Sequence, residues 1–184
     1  PDSNPESLRI ANEALALKAA DALFQINQKT KSALSLLHMN APWVGGDDRI
    51  YNRILSSQFP DGTTYTLVRE YLTLDEHMLL LSECKGGLAM RYHGHIFCMA
   101  MGIPFISLDY TGKAGKVSSL VNRIGYSKWS IKWDEIDPIS MTELYEKLML
   151  DSEECSAYLI SEADKLVLLL HQTYQEAFNY CPEN

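Results

Sequence analysis

The sequence predicts an α/β domain built on a mostly parallel sheet, with helices on both faces and a helical C-terminal tail. Short apolar runs alternate with helical segments from about residue 32 to residue 133, and this alternation is typical of parallel sheets. After residue 138 the remaining pattern is helical. The chain has 184 residues, 46% hydrophobic and 22% charged, which is ordinary for a globular protein. The prediction is therefore a Rossmann-like domain followed by C-terminal helices.

The first half of the chain alternates helices and strands. In the first helical segment apolar residues recur at three- and four-residue spacing, namely Leu8, Ala11, Leu15, Ala19, Leu23 and Ile26. Short apolar runs after polar breaks predict strands, and the sequence PDGTT marks a turn before the second strand. The predicted elements are a helix over 7–28, a strand over 32–39, a helix over 48–59, a strand over 64–70 and a helix over 74–84.

The second half continues the alternation and then becomes helical. Gly102 is well placed to end the helix that separates two apolar strands. The predicted elements are strands over 86–91 and 104–110, helices over 95–101 and 116–124, a polar edge strand over 128–133, and helices over 142–150 and 152–180. We accordingly divide the chain into a leading helix or interdomain linker over 1–30, a Rossmann-like domain over 31–137 and C-terminal helices over 138–184.

Charge and cysteine content disfavour several classes of protein. Sixteen basic and 24 acidic residues give a formal charge of −8, which disfavours a broad nucleic-acid or anionic-membrane surface. The four cysteines lack Cys-x-x-Cys spacing, so we expect no zinc site and no disulfide framework. No apolar run has the length of a bilayer span, so no transmembrane segment is expected.

An Arg-Tyr-His turn carries the strongest chemical signal. Arg91 and His93 lie at the carboxyl end of the third predicted strand, at the edge where parallel sheets bind ligands. Arginine offers paired donors that match carboxylate or phosphate oxygens, and histidine exchanges protons near neutral pH. His93 is also expected near a helix amino terminus, which favours anions. The structural alternative is that Arg91 pairs with a nearby carboxylate while His93 only caps the helix.

Further polar residues are predicted at the same edge. Tyr110, Lys113 and Lys116 follow the fourth strand, and His38 and Arg69 end the first and second strands. We expect these residues to form a pocket for a small, multiply charged anion. Each has a simpler alternative: the lysines lie in a solvated loop, and Arg69 pairs with Glu70. Aspartates 47 and 48 open the next helix, and at least one of them is expected to cap it.

Two motif-like patterns do not support their usual interpretations. TGKAGKVSS resembles a phosphate-binding loop, but Gly112 and Gly115 are too close for a Walker motif and Val117 follows the lysine. His93 and His95 are two residues apart, so they do not share a helix face, and no third metal ligand is evident nearby. We therefore expect no metal site and a packed, hydrogen-bonded His95.

The segment RYHGHIFCMAMGIPFISLDYTGK resembles the signature region of the polysaccharide pyruvyl transferase family. In that family an Arg-x-His is followed by a helix, Gly-x-Pro and a strand that ends near Tyr and Lys. HMNAPWVGGDDR resembles an earlier segment of the same domain. The resemblance covers roughly residues 34–126 and is strongest over 91–113.

The resemblance implies a fold, a reaction and partners. The family is similar in fold to two-domain glycosyltransferases of the GT-B type, so this chain is expected to be the carboxyl-terminal half, with an amino-terminal domain missing. Members transfer the enolpyruvyl carbons of phosphoenolpyruvate onto two sugar hydroxyls of a saccharide or lipid-linked saccharide, without cofactor or metal. Arg91 and His93 are then the phosphoenolpyruvate-site residues. The expected location is cytoplasmic, at most peripheral to the inner face of the membrane.

Two other functions are compatible with the residues. A sugar-nucleotide glycosyltransferase of the same architecture would use the crevice for a diphosphate, with Glu70 or Asp109 contacting the ribose. A non-catalytic domain would bind a glycan or a partner through its helical tail. Phosphoenolpyruvate binding distinguishes the pyruvyl transferase from the sugar-nucleotide glycosyltransferase. If Arg91→Ala or His93→Ala changes nothing measurable, the chain would be a non-catalytic domain.

Overall fold

The computed structural model describes residues 5–39, 47–110 and 115–179. The helices are α1 (Pro5–Thr30), α2 (Asp48–Ser57), α3 (Leu74–Ser82), α4 (Tyr92–Ala100), α5 (Lys116–Arg123), α6 (Pro138–Leu150) and α7 (Ser152–Asn179). The strands are β1 (Leu34–Leu36), β2 (Tyr65–Leu67), β3 (Gly87–Ala89), β4 (Phe105–Asp109) and β5 (Ser130–Lys132), and short 3₁₀ turns flank β5. The alternation of elements and the helical tail are as predicted.

Several helices begin at side-chain caps. The Asp47 carboxylate accepts the backbone N–H of Arg49 at the start of α2. Thr73 and Glu76 form a reciprocal capping box at the start of α3. Asp137 caps α6. Asp47 confirms the expectation that at least one of the paired aspartates is a cap.

All described strand pairs are parallel. In one sheet β1 lies beside β2, with Leu34 opposite Tyr65. In the other, β4 lies between β3 and β5, with Ser107 opposite both Ala89 and Ser130. Residues 105–108 of β4 are buried, which is typical of a central parallel strand covered on both faces.

The helices form two groups, one on each face. The first group joins α1 to α2 and α6, and the second joins α4 to α5 and α7. Both α5 and α6 contact β4, and α3 approaches α4 where the His77 and Phe97 rings lie 6.3 Å apart. The structure confirms a Rossmann-like α/β domain with a helical tail.

The strands are shorter than predicted, and the expected single sheet is divided. The predicted strand over 32–39 pairs only over Leu34–Leu36, and β1 and β3 belong to separate sheets in the described part of the chain. An apolar run indicates which residues are buried, but a strand also needs a hydrogen-bonding partner, so the run can be longer than the strand. Within the described residues, no helix has the length and apolar character needed to cross a bilayer.

Candidate anion-binding site

A buried carboxylate joins the carboxyl ends of β1 and β3. Asp48, the first residue of α2, accepts the backbone N–H of Met39 through Oδ2 at 3.1 Å. Its Oδ1 accepts from Nε and Nη2 of Arg91 at 3.0 and 2.6 Å. Met39 follows β1, and Arg91 follows β3, so this carboxylate spans the point where the two sheets meet. The predicted alternative partner of Arg91, a nearby carboxylate, is therefore present.

The Nη1 end of the Arg91 guanidinium faces Tyr110. Its Nη1 donates to the Tyr110 hydroxyl at 3.4 Å, and the guanidinium carbon lies 5.7 Å from the tyrosine ring centroid. Its side chain is 36% exposed, whereas that of Asp48 is 11% exposed. Partial burial alone would lower the pKa of Arg91, but its hydrogen bonds to Asp48 and Tyr110 raise it overall. Arg91 is thus a permanent cation at the edge of the fold.

Two helix amino termini at this edge lack a side-chain cap among the described residues. The N-cap residue of α4 is Arg91 itself, and that of α5 is Gly115; neither residue makes a side-chain cap hydrogen bond. His93 is exposed in the first turn of α4, and Lys116, the first residue of α5, is also exposed. Uncapped backbone N–H groups and the helix dipole favour anions. The structure places these features after neighbouring strands β3 and β4.

The second histidine of the signature segment is a packed core residue. His95 is fully buried, with Nδ1 2.8 Å from the Arg91 carbonyl oxygen and Nε2 2.8 Å from the Ser107 hydroxyl. Burial lowers its pKa, and the carbonyl contact opposes this only in part. The neutral ring therefore donates from Nδ1 and accepts from the serine hydroxyl at Nε2. The prediction that His95 is packed and hydrogen-bonded is confirmed.

His38 is buried against two aromatic rings after the end of β1. It is 3% exposed, and its ring makes edge contacts with Tyr71 and His77 at 6.1 and 5.8 Å. Its Nδ1 is buried without a hydrogen-bond partner among the described residues. Burial lowers the pKa of His38, as do the neighbouring His77 and Arg49. His77 Nε2 lies 2.8 Å from the His38 carbonyl oxygen, which ties α3 to the end of β1.

Arg69 follows β2, and its hydrogen bonds to Arg49 and Glu70 are made by its backbone. Its carbonyl oxygen accepts from Arg49, whose guanidinium also lies 3.9 Å from the Tyr71 ring centroid and pairs with Asp47. The carboxylate of Glu70 accepts the Arg69 backbone N–H at 3.3 Å. Arg69 itself is exposed.

A cavity of about 1370 Å³ is lined by residues from both sheets. Its walls are mainly apolar side chains from both sheets and the helices that cover them, among them Leu23, Leu36, Leu55, Leu88, Cys98 and Met141. Asp48, Arg91 and Tyr110 line its carboxyl end. His38 and Arg69, both in the described part of the chain, are not among its lining residues.

The structure thus brings together part of the predicted pocket. Arg91 and Tyr110 are in contact, His93 lies in the turn that follows Arg91, and Lys116 begins the next helix along the edge. Lys113 lies outside the described residues. No group of three His, Cys, Asp or Glu side chains within the described ranges is arranged to hold a metal ion.

Sequence reasoning did not assign Asp48 to the site. The sequence pattern assigns at least one of the paired aspartates to helix capping and pairs neither of them with Arg91, whereas in the structure Asp47 makes the cap and Asp48 binds Arg91. The available signal was that a single helix terminus needs only one capping side chain. A second carboxylate beside the cap therefore indicates a further partner.

The fold and this edge define a Rossmann-like α/β domain with a cationic group, Arg91, at its carboxyl edge. A family model described as polysaccharide pyruvyl transferase matches residues 3–112. The chain belongs to the polysaccharide pyruvyl transferase family, which assigns it in general terms to the transferases that act in pyruvylation of polysaccharides. Comparisons with curated proteins and with solved structures gave no significant match.

Proposed function

We propose that this chain is the donor-binding domain of an enzyme that transfers a pyruvyl ketal from phosphoenolpyruvate to sugar hydroxyls. The observation that carries the proposal is the position of Arg91, half-buried at the amino terminus of α4, which no described side chain caps, in a chain that belongs to this family. Phosphoenolpyruvate carries a carboxylate and a phosphate, which suit a guanidinium and backbone N–H groups.

The donor would be held by cations and amides at the carboxyl edge. Arg91 binds the carboxylate or phosphate through Nη1, the nitrogen that faces Tyr110. Lys116 and the amino terminus of α5 add positive charge along the same edge. Lys113, which lies outside the described residues, remains a donor-binding candidate on the sequence alone. His38 and Arg69 contribute less directly, since His38 is buried and Arg69 lies near Arg49.

The proposed chemistry needs one positioned acid and charge stabilisation. His93, exposed in the first turn of α4, delivers a proton to the methylene carbon of phosphoenolpyruvate. An acceptor hydroxyl attacks the resulting oxocarbenium-like carbon and forms the first C–O bond. The C–O bond to phosphate then breaks, and a second hydroxyl closes the ketal. One hydroxyl proton restores His93, the other leaves with phosphate, and Arg91 stabilises the departing charge.

The acceptor and a second domain complete the proposal. A surface polysaccharide or its lipid-linked precursor would approach across a GT-B-like cleft, with a preceding domain supplying the facing wall. The distal part of α7 exposes apolar side chains that such a domain would cover, including Val167, Leu170, Tyr174 and Phe178. We place the enzyme in the cytoplasm, at most peripheral to the inner face of the membrane.

Calorimetric titration with phosphoenolpyruvate tests the proposal on this chain. The wild type should bind saturably, and Arg91→Ala should bind about tenfold to a hundredfold more weakly, because a hydrogen-bonded charge is lost. Arg123→Ala removes an exposed arginine from the other end of α5 and should bind like the wild type.

A parallel titration with UDP distinguishes the main alternative. UDP binding without phosphoenolpyruvate binding would favour a sugar-nucleotide glycosyltransferase. Equal phosphoenolpyruvate affinity in the wild type and Arg91→Ala would contradict the proposed donor site.

A further inference from the structure

The Asp48 carboxylate has more partners than a helix terminus requires. Asp47 already caps α2 by accepting the Arg49 N–H, and Asp48 instead contacts groups that follow two different strands. Its side chain is 11% exposed, and all its named partners are N–H donors. A carboxylate so enclosed is held by charge-assisted hydrogen bonds rather than by solvent.

The geometry of the pair restricts the Arg91 guanidinium. Nε and Nη2 both donate to Oδ1 of Asp48, so that edge of the planar group is occupied. Nη1 is the remaining nitrogen, and it faces Tyr110 at the carboxyl end of the cavity. Since the guanidinium is rigid and planar, fixing one edge fixes the direction in which the other presents its hydrogens.

We propose that Asp48 is a positioning residue that aims Nη1 of Arg91 at the donor anion. This inference rests on the proposed function, because it assumes that Arg91 binds phosphoenolpyruvate. Asp48 also carries a negative charge close to the anion site, which by Coulomb repulsion opposes donor binding. If Asp48 positions Arg91, removing its charge should weaken phosphoenolpyruvate binding. If Asp48 only repels the anion, removing its charge should strengthen binding, so the two roles can be distinguished by measurement.

Asp48→Asn is the informative variant. Asparagine has nearly the same shape and can still accept the Met39 N–H, but it loses the charge and cannot accept two bonds from Arg91 while doing so. If Asp48 positions Arg91, phosphoenolpyruvate should bind about tenfold more weakly despite the loss of a repulsive charge. Asp137→Asn is the matched control, because it removes one carboxylate at the α6 cap and asparagine caps equally well.

A double variant separates positioning from a purely structural role. In an Arg91→Lys background no guanidinium remains to be aimed, so adding Asp48→Asn should cause no further loss of phosphoenolpyruvate affinity. A general loosening of the β1–β3 junction would instead weaken binding further in that background. Asp48→Glu, which keeps the charge but displaces the carboxylate, should also weaken binding and serves if Asp48→Asn does not fold.

The outcomes distinguish this inference from the proposed function. Unchanged or tighter phosphoenolpyruvate binding by Asp48→Asn, with binding still lost in Arg91→Ala, would overturn the positioning role alone. Wild-type binding that is absent, or unaffected by Arg91→Ala, would overturn the donor site and the positioning role together. The inference is supported if Asp48→Asn weakens phosphoenolpyruvate binding in the wild-type chain but causes no further weakening in the Arg91→Lys background.

Discussion

At the residue scale, one buried histidine supports the backbone at the site. His95 links the Arg91 carbonyl oxygen, at the start of α4, to the Ser107 hydroxyl in the central strand. Arg91 belongs to the proposed donor site, so the same bonds that complete the core also fix the entry into α4. The sequence motif Arg-Tyr-His-Gly-His thus contains Arg91, which lies at the carboxyl edge of the sheet, and His95, which lies in the core.

Folding stability should fall in mild acid because of this histidine. Burial lowers the pKa of His95 below its ordinary value of 6.5, so just below that pH the unfolded chain binds more protons than the folded chain. The contribution is therefore fully present above pH 6.5 and is lost as the pH falls below it. His38, whose pKa is also lowered chiefly by burial, acts in the same direction.

Urea unfolding of the wild type and His95→Gln at pH 8 and pH 5 measures this contribution. The variant should be less stable by about 1–3 kcal/mol at pH 8, since it disturbs buried hydrogen bonds, but should lose less stability on acidification. His171→Gln, an exposed position on α7, should show the wild-type pH dependence. A His95→Gln variant as acid-sensitive as the wild type would contradict this account.

At the element scale, α4 ends where it meets α7. Gly102 follows α4 with a φ of +62°, and its N–H donates to the Met99 carbonyl oxygen. A Cβ at this position would lie 2.8 Å from atoms of both Ile160 and Ser156 on α7. The sequence predicted that Gly102 ends the helix. The structure shows that the missing side chain also leaves room for α7 to pack against this end of α4.

Substituting two glycines separates backbone strain from crowding. Gly62 has a φ of +88°, and a Cβ added there would have no described atom within 4 Å beyond its chain neighbours. Gly62→Ala should therefore cost about 1–2 kcal/mol from the left-handed backbone alone. Gly102→Ala should cost a further 1–3 kcal/mol, roughly, because α7 must also move. Equal losses in urea unfolding would show that α7 does not pack closely against α4.

Local patterns predicted the order of the elements better than their pairing. Helical spacing and short apolar runs placed Arg91 and His93 directly after β3, because these signals depend on nearby residues. The Asp48–Arg91 pair joins residues 43 positions apart, and the assignment of β1 and β3 to separate sheets depends on pairing between distant segments. Such long-range arrangements leave no periodic signal in one sequence. The division into residues 1–30, 31–137 and 138–184 stays a prediction.

At the scale of the whole molecule, positive charge is concentrated at one edge although the chain is acidic overall. The chain carries a formal charge of −8, yet Arg91, Lys113 and Lys116 follow adjacent strands within one short stretch. Two helix amino termini without a described side-chain cap add partial positive charge at this edge. A small anion is therefore expected at the carboxyl edge and not over the acidic remainder of the surface.

Backbone amide NMR during a phosphoenolpyruvate titration of this chain tests that claim most directly. The account predicts saturable shifts concentrated at the first amides of α4 and α5, from Tyr92 to Gly94 and from Lys116 to Ser118, with few changes along the distal half of α7. Shifts centred on the opposite edge of the strands or on α7, with these amides unchanged, would contradict it.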